Sequence, residues 1–195
     1  MKIIGLTGGI GMGKSTAAGV FRRAHFPVFD ADAEVHRLQA RGGAAVAAIG
    51  AAFPGVVVDG AVDRTRLRAA AIQQPFAMTL LEHILHPRVR AAESRFLQAA
   101  RRARARVAVL DIPLLLETRG ERRVDIVVVV SAPPAVQRAR VRRRGRMSDQ
   151  QIAAIIARQM PDTEKRRRAD VVVRTGLSRY HAQRTVRRLL GTMLP

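Results

Sequence analysis

Nine consecutive residues, Gly8-Gly9-Ile10-Gly11-Met12-Gly13-Lys14-Ser15-Thr16, satisfy the pattern G-x-x-x-x-G-K-[ST]. That pattern is a phosphate cradle. Glycines let the backbone curl until several N–H groups face one anion, and a helix starting at the motif adds the positive end of its dipole. Lys14 has the reach for the β- and γ-phosphates of a nucleoside triphosphate, and the Ser15 hydroxyl is a ligand for Mg²⁺. Arginine supplies nearly all the positive charge in this chain, and lysine occurs only at positions 2, 14 and 165. A lysine inside the loop therefore points to a need for a compact ammonium rather than a planar guanidinium.

Further candidates for chemistry follow along the chain. Phe29-Asp30-Ala31-Asp32 closes a short apolar run. If the backbone stays extended there, Asp30 and Asp32 point the same way. A carboxylate at a strand's C-terminal end could take the proton of an acceptor hydroxyl, or could simply cap the next turn. Val109-Leu110-Asp111 is an apolar strand ending in Asp, the type that holds Mg²⁺ in phosphate-loop enzymes. Ile112-Pro113-Leu114-Leu115-Leu116-Glu117 follows it, as a pocket wall ending in a carboxylate or as plain core. Arg138, Arg140, Arg142, Arg143, Arg144 and Arg146 crowd one segment, with Arg140 and Arg144 on one helix face. They suit a lid over transferring phosphate or a solvated basic face. His83 and His86 lack a third metal ligand, so His86-Pro87 marks a helix boundary or a substrate contact. The run Glu164 to Arg168 reads as a charged helix face. The chain contains no Asn, which removes the guanine-reading N-K-x-D motif and favours an ATP-dependent kinase.

These residues need a frame. Apolar runs at Ile3–Thr7, Pro27–Asp30, Val107–Ile112, Asp125–Ser131 and Val171–Arg174 alternate with helical stretches, the pattern of a parallel α/β sheet. Helices are expected over Ser15–Arg23, Ala33–Arg41, Gly43–Phe53, Arg64–Gln73, Pro75–Leu85, Pro87–Arg104, Pro134–Arg143, Ser148–Met160 and Ser178–Leu190. Ser148 with Gln151 forms a capping-box pattern. Pro54-Gly55 and Asp59-Gly60 mark turns. The long interval of about 32–106 exceeds one crossover helix and reads as a helical insertion.

Composition bounds the rest. At 195 residues with 48% hydrophobic content, the chain can bury one sizeable core. Aromatic residues make up only 4%, so that core is aliphatic. With no Cys there is no disulfide, thiolate site or Cys nucleophile. No apolar run approaches the length of a membrane span, and a cytoplasmic setting is expected. The net charge of +20 favours anionic partners. It is spread along the whole chain without interleaved aromatics, so specific nucleic-acid binding is not expected.

In their order and spacing these motifs resemble dephospho-CoA kinases. The resemblance covers nearly the whole chain and rests on Ile4 to Gly11 with Gly13 to Thr16, Asp30-Ala31-Asp32, Leu85-His86-Pro87, Pro113 to Glu117, Arg140 with Arg144, Arg158-Gln159-Met160, and Lys165 through Ala169-Asp170. It implies an α/β P-loop core with a five-stranded parallel sheet (1–31, 107–133, 161–195), a helical CoA-binding insertion (about 32–106) and a helical lid (about 134–160). The implied reaction moves the γ-phosphate of ATP to the ribose 3′-hydroxyl of dephospho-CoA, with Mg²⁺. Asp32 is implied as general base, with Lys14 and Arg140 as catalytic partners. Gly9, Gly11, Met12, Gly13, Lys14, Ser15, Thr16, Arg140 and Arg144 would hold ATP. Thr7, Asp32, His86, Leu114, Leu115 and Glu117 would hold dephospho-CoA. Ser15 would take the metal, with Asp111 or Asp32 as a further ligand. A monomer without membrane partners is expected. Two departures stand out: Met12 replaces a usual small Ser, and Arg174-Thr175-Gly176 replaces an Asp-Asn pair usual near the adenine.

Overall fold

The β-branched runs become strands buried on both faces, because only a sheet covered on each side accepts apolar side chains in both directions. A computed structural model describes residues 1–73, 76–145 and 147–193. The expected helix start at Pro75 and the cluster member Arg146 lie outside the described residues. The elements run β1 (Lys2–Thr7), α1 (Lys14–Arg23), β2 (Val28–Asp30), α2 (Ala31–Gln39), α3 (Val46–Ala52), β3 (Val57–Val58), β4 (Ala61–Val62), α4 (Arg64–Gln73) and α5 (Ala77–Arg102). Then follow β5 (Val107–Asp111), a 3₁₀ turn (Gly120–Arg123), β6 (Ile126–Ser131), α6 (Pro134–Arg142), α7 (Asp149–Arg158), α8 (Asp162–Arg167), β7 (Val171–Arg174) and α9 (Arg179–Met193).

Five strands form one sheet in the order β2-β5-β1-β6-β7. β1 lies at the centre and pairs in parallel with β5 and β6, and β6 pairs in parallel with β7. The register sets Leu6 beside Asp111, so the phosphate loop and the acidic strand end emerge together at the C-terminal edge. Ligands of open parallel sheets bind at such an edge. One face is covered by Ala17, Ala18 and Phe21 of α1 with Ala182, Val186 and Leu190 of α9. Leu115 and Leu116 bury against Val127 and Val129.

The chain divides into two units, Met1–Phe29 with Ala99–Pro195, and Asp30–Gln98. The second is helical, with a core of Leu38, Ile49, Phe53, Leu67 and Leu85. Its short β3–β4 hairpin turns at Asp59-Gly60, both with positive φ (50° and 76°), as a tight hairpin turn requires. Among the described residues no helix is long and apolar enough to cross a membrane.

Two expectations are corrected here. The helices expected on either side of His86-Pro87 are one helix, α5, with Pro87 inside it. Proline removes one backbone donor, but Leu81, Ile84, Leu85 and Val89 pack along one core face on both sides of it. The Arg88 guanidinium also donates to the carbonyls of Ile84 (2.7 Å) and Ala44 (3.0 Å), which ties down the turn around the proline. Tertiary burial outweighs the local break. The second correction concerns Asp30 and Asp32, which do not project from one extended strand. The strand ends at Asp30, whose carboxylate accepts the Ala33 N–H (3.0 Å) as the N-cap of α2. Asp32 is exposed in the first turn of that helix. An Asp followed by good helix formers starts a helix rather than extending a strand.

This assigns Asp30 a capping role. Asp30→Ala is expected to cost about 1 kcal/mol of stability, read as a lower urea midpoint. Asp30→Ser is expected to recover most of it by restoring a cap acceptor.

Candidate active site

Between β1 and α1 the loop makes a tight turn in which the Met12 N–H donates to the Gly9 carbonyl at 3.1 Å. Gly11 and Gly13 take positive φ (74° and 95°). A side chain at Gly13 would also strike Thr175. Gly13 is the N-cap of α1 and offers no side-chain acceptor, so the first amides of that helix have no cap of the usual kind. An anion satisfies such amides and the helix dipole at once.

Lys14 turns back to the sheet edge, where its Nζ lies 2.5 Å from Asp111 Oδ1. Asp111 is nearly fully buried, and it keeps the ammonium beside the cradle. A cavity of about 580 Å³ opens between the loop and α6, lined by Gly11, Gly13, Ser15, Thr16, Arg140 and Arg144 among others. A volume of that order suits a nucleotide-sized ligand. Ser15 is exposed into this region, and Asp111 is the nearby carboxylate. Mg²⁺ is seldom held by an all-protein cage; it shares one or two protein oxygens with substrate phosphates and water. One hydroxyl and one carboxylate fit that donor set, and among the described residues no larger cluster of potential ligands gathers.

Arg140 lies against the loop, its guanidinium 3.5 Å from the Gly11 and Met12 carbonyls. It donates to Thr175 Oγ1 at 2.9 Å and to the Thr175 carbonyl at 2.7 Å. The Thr175 hydroxyl in turn donates to the Met12 carbonyl at 2.5 Å. Met12 points inward, and its sulfur accepts the Ala132 N–H at 3.1 Å. Arg144 is exposed at the end of α6. The α6–α7 connection is tied by Arg142, whose guanidinium grips the Asp149 carboxylate at 2.6 and 2.8 Å and holds its pKa below the ordinary carboxylate range. The expected capping box of α7 forms in both directions between Ser148 and Gln151.

Several residues assigned to the acceptor make contacts within the core unit. Thr7 is fully buried, and its hydroxyl donates to the Pro113 carbonyl at 2.8 Å. It fastens the end of β1 to the turn of 113–119. Leu115 is also fully buried, packed over Gly5, while Leu114 is exposed. Glu117 lies in an ion pair with Lys165 at 2.7 Å, and it also accepts the Met160 N–H at 3.1 Å. Asp32 and His86 are exposed in the second unit. Lys165 corrects the expectation of a charged surface run over Glu164 to Arg168, because its side chain is only 1% exposed. The scarcity of lysine is a signal that could have found it: two of the three lysines meet a carboxylate, Lys14 with Asp111 and Lys165 with Glu117. The roles of Gln137 and Thr175 had no sequence signal.

A family model for dephospho-CoA kinase matches residues 2–178. The chain belongs to the dephospho-CoA kinase family. A dephospho-CoA kinase from Paramagnetospirillum magneticum is 62% identical over 166 residues, covering 85% of this chain and 78% of the relative. One from Bradyrhizobium diazoefficiens is 54% identical, covering 94% and 92%. A crystal structure of TT1252 from Thermus thermophilus superposes with a TM-score of 0.85 at 34% identity, covering 100% of this chain and 98% of the other. The fold is also that of a Campylobacter jejuni dephospho-CoA kinase, with a TM-score of 0.75 at 21% identity and coverage of 99% and 98%. The protein is thus an ATP-dependent kinase with a P-loop core.

The interior pair generates a stability test. Removing one partner of a buried ion pair leaves the other charge stranded, typically a loss of about 3–5 kcal/mol. Lys165→Met is expected to lower stability on that scale in chemical denaturation. Adding Glu117→Gln is expected to recover a large part, because the stranded charge is gone. Equal losses in the single and double variants would show that the pair is not coupled.

Proposed function

We propose that the protein transfers the γ-phosphate of ATP to the ribose 3′-hydroxyl of dephospho-CoA, giving CoA and ADP as the last step of coenzyme A synthesis. The observation that carries this reading is the family match over nearly the whole chain, joined to a phosphate loop whose lysine is held by the acidic end of the neighbouring strand. On this reading the loop amides and Lys14 bind the β- and γ-phosphates, and the cavity lined by Thr16, Arg140 and Thr175 takes the rest of the nucleotide. Mg²⁺, when bound, neutralises phosphate charge; Ser15, with Asp111 or Asp32 as carboxylate partner, would hold it.

Asp32 is assigned as the general base. Its carboxylate takes the proton from the 3′-hydroxyl as that oxygen forms its bond to the γ-phosphorus, while the bond from γ-phosphorus to the bridging oxygen breaks and ADP departs. An exposed carboxylate in the first turn of α2 is free of the capping duty that Asp30 performs. Arg140 and Arg144 are assigned to the charge that spreads over the transferring group. The exposed His86 and Leu114 are assigned to dephospho-CoA contacts. Thr7, Leu115 and Glu117 would then support that site through packing and pairing.

The test is an acceptor panel with ATP and Mg²⁺, followed by locating the new phosphate on the product. Phosphorylation of dephospho-CoA at the ribose 3′ position is the expected outcome; preference for another hydroxyl would overturn the assignment. Asp32→Asn is expected to lower kcat by at least about 100-fold with folding intact. Near-normal turnover in that variant would remove Asp32 from the proton transfer.

A further inference from the structure

Both backbone polar groups of Ile10 are held from outside the phosphate loop. Its N–H donates to Gln159 Oε1 at 3.0 Å, and its carbonyl accepts from Gln137 Nε2 at 2.9 Å. One peptide-flanking residue is thus gripped on both polar groups by two amides from outside the loop. Gln137 lies in α6 and is nearly buried; Gln159 is the C-cap residue of α7. The two glutamines therefore connect both helices of the 134–160 segment to the same point of the loop.

The neighbouring glycines carry the same imprint. Gly9 has no positive φ, so its backbone does not demand glycine, and the phosphate-loop pattern leaves that position open. A Cβ there would lie 3.1 Å from Gln159 Oε1 and 3.4 Å from Gln137 Nε2. A Cβ on Gly11 would lie 2.7 Å from Val141 Cγ2 and 2.8 Å from the Gln137 carbonyl. Gln159 is in turn stationed from behind, because the next residue, Met160, donates its N–H to Glu117, which pairs with the buried Lys165. A small cavity of about 50 Å³ lies among Gly9, Gln137, Gln159, Asp162 and Lys165.

We propose that Gln137 and Gln159 are positioning residues that clamp Ile10 and thereby set the shape of the phosphate cradle from helices α6 and α7. The clamp makes nucleotide affinity depend on how those helices sit. Neither amide touches the reacting atoms; each acts through the Ile10 backbone. The proposal rests on the ATP-site reading above.

The chemistry of the clamp makes a directional prediction. Gln159 serves as an acceptor, and Glu keeps an acceptor oxygen where Met has none. Gln137 serves as a donor, and Glu would place an acceptor against the Ile10 carbonyl where Met is neutral. Nucleotide affinity is measured by calorimetric titration of the intact protein with a non-hydrolysable ATP analogue and Mg²⁺, for Gln159→Glu, Gln159→Met, Gln137→Glu and Gln137→Met. The order expected at position 159 is wild type, then Glu, then Met; at position 137 it is wild type, then Met, then Glu. Loss of one hydrogen bond to Ile10 corresponds to about five- to tenfold in Kd. KM for ATP is expected to rise with Kd while KM for dephospho-CoA stays within about twofold of wild type. An added negative charge near bound phosphates would by itself place Glu last at both positions, and a purely structural role would move both KM values together. Either result overturns the clamp. Wild-type protein that fails to take the analogue overturns the ATP-site reading and the clamp with it, whereas wild-type binding with the wrong order overturns the clamp alone. Thermal unfolding of each variant identifies any that is misfolded. The Glu and Met variants that remain folded at either position then decide the matter, and unfolding of all four would overturn a role confined to positioning.

Discussion

Backbone amides offered to an anion cannot also be spent on the loop's own hydrogen-bonded structure, so a phosphate cradle has to be braced by its surroundings. In this protein the braces are specific. The Met12 carbonyl accepts from Thr175, the Met12 sulfur accepts from Ala132, and Ile10 is held on both sides by Gln137 and Gln159. Lys14 is held by Asp111 across the strand register that sets β1 beside β5. The sheet supplies the platform, and residues far away in sequence supply the shape.

That dependence explains several residues whose types look arbitrary alone. The long thioether of Met12 reaches the start of the β6–α6 connection and receives an N–H there. The single hydroxyl of Thr175 both donates to the Met12 carbonyl and accepts from Arg140. Glu117 and Lys165 form an interior pair behind the loop, with Glu117 Oε2 buried and without a hydrogen-bond partner among the described residues. A pair of that kind is an expensive way to gain stability. Its geometric effect is clearer: Glu117 also fixes Met160, next to the amide that holds Ile10.

Local sequence logic was strongest where one residue's needs are met within a few positions. The phosphate loop, the five parallel strands, the Asp59-Gly60 turn and the Ser148–Gln151 capping box all follow from short-range chemistry. It failed where distant packing overrides a local preference. Pro87 stays inside one helix because the apolar residues before and after it share a core face. Asp30 and Asp32 part company because capping converts the strand end into a helix start within one residue. Lys165 sits in a run of arginines that reads as solvated, and only the approach of Glu117 from 48 positions away in the chain takes it inside.

The amino-acid sequence by itself determined the chemistry on offer: a glycine loop with one lysine and one hydroxyl, acidic strand ends, a supply of arginines, and a family likeness spanning nearly the whole chain. Tertiary structure alone decided how those groups are employed. Thr7 and Leu115 turned out to be fully buried, Glu117 to pair with Lys165, Arg140 to rest on Thr175, and Gln137 and Gln159 to grip the loop. The reason is physical. A residue's type and near neighbours set what it can donate, accept or bury, but the partner that claims a hydrogen bond or a charge comes from whichever segment the packed sheet and helices bring within about 3 Å.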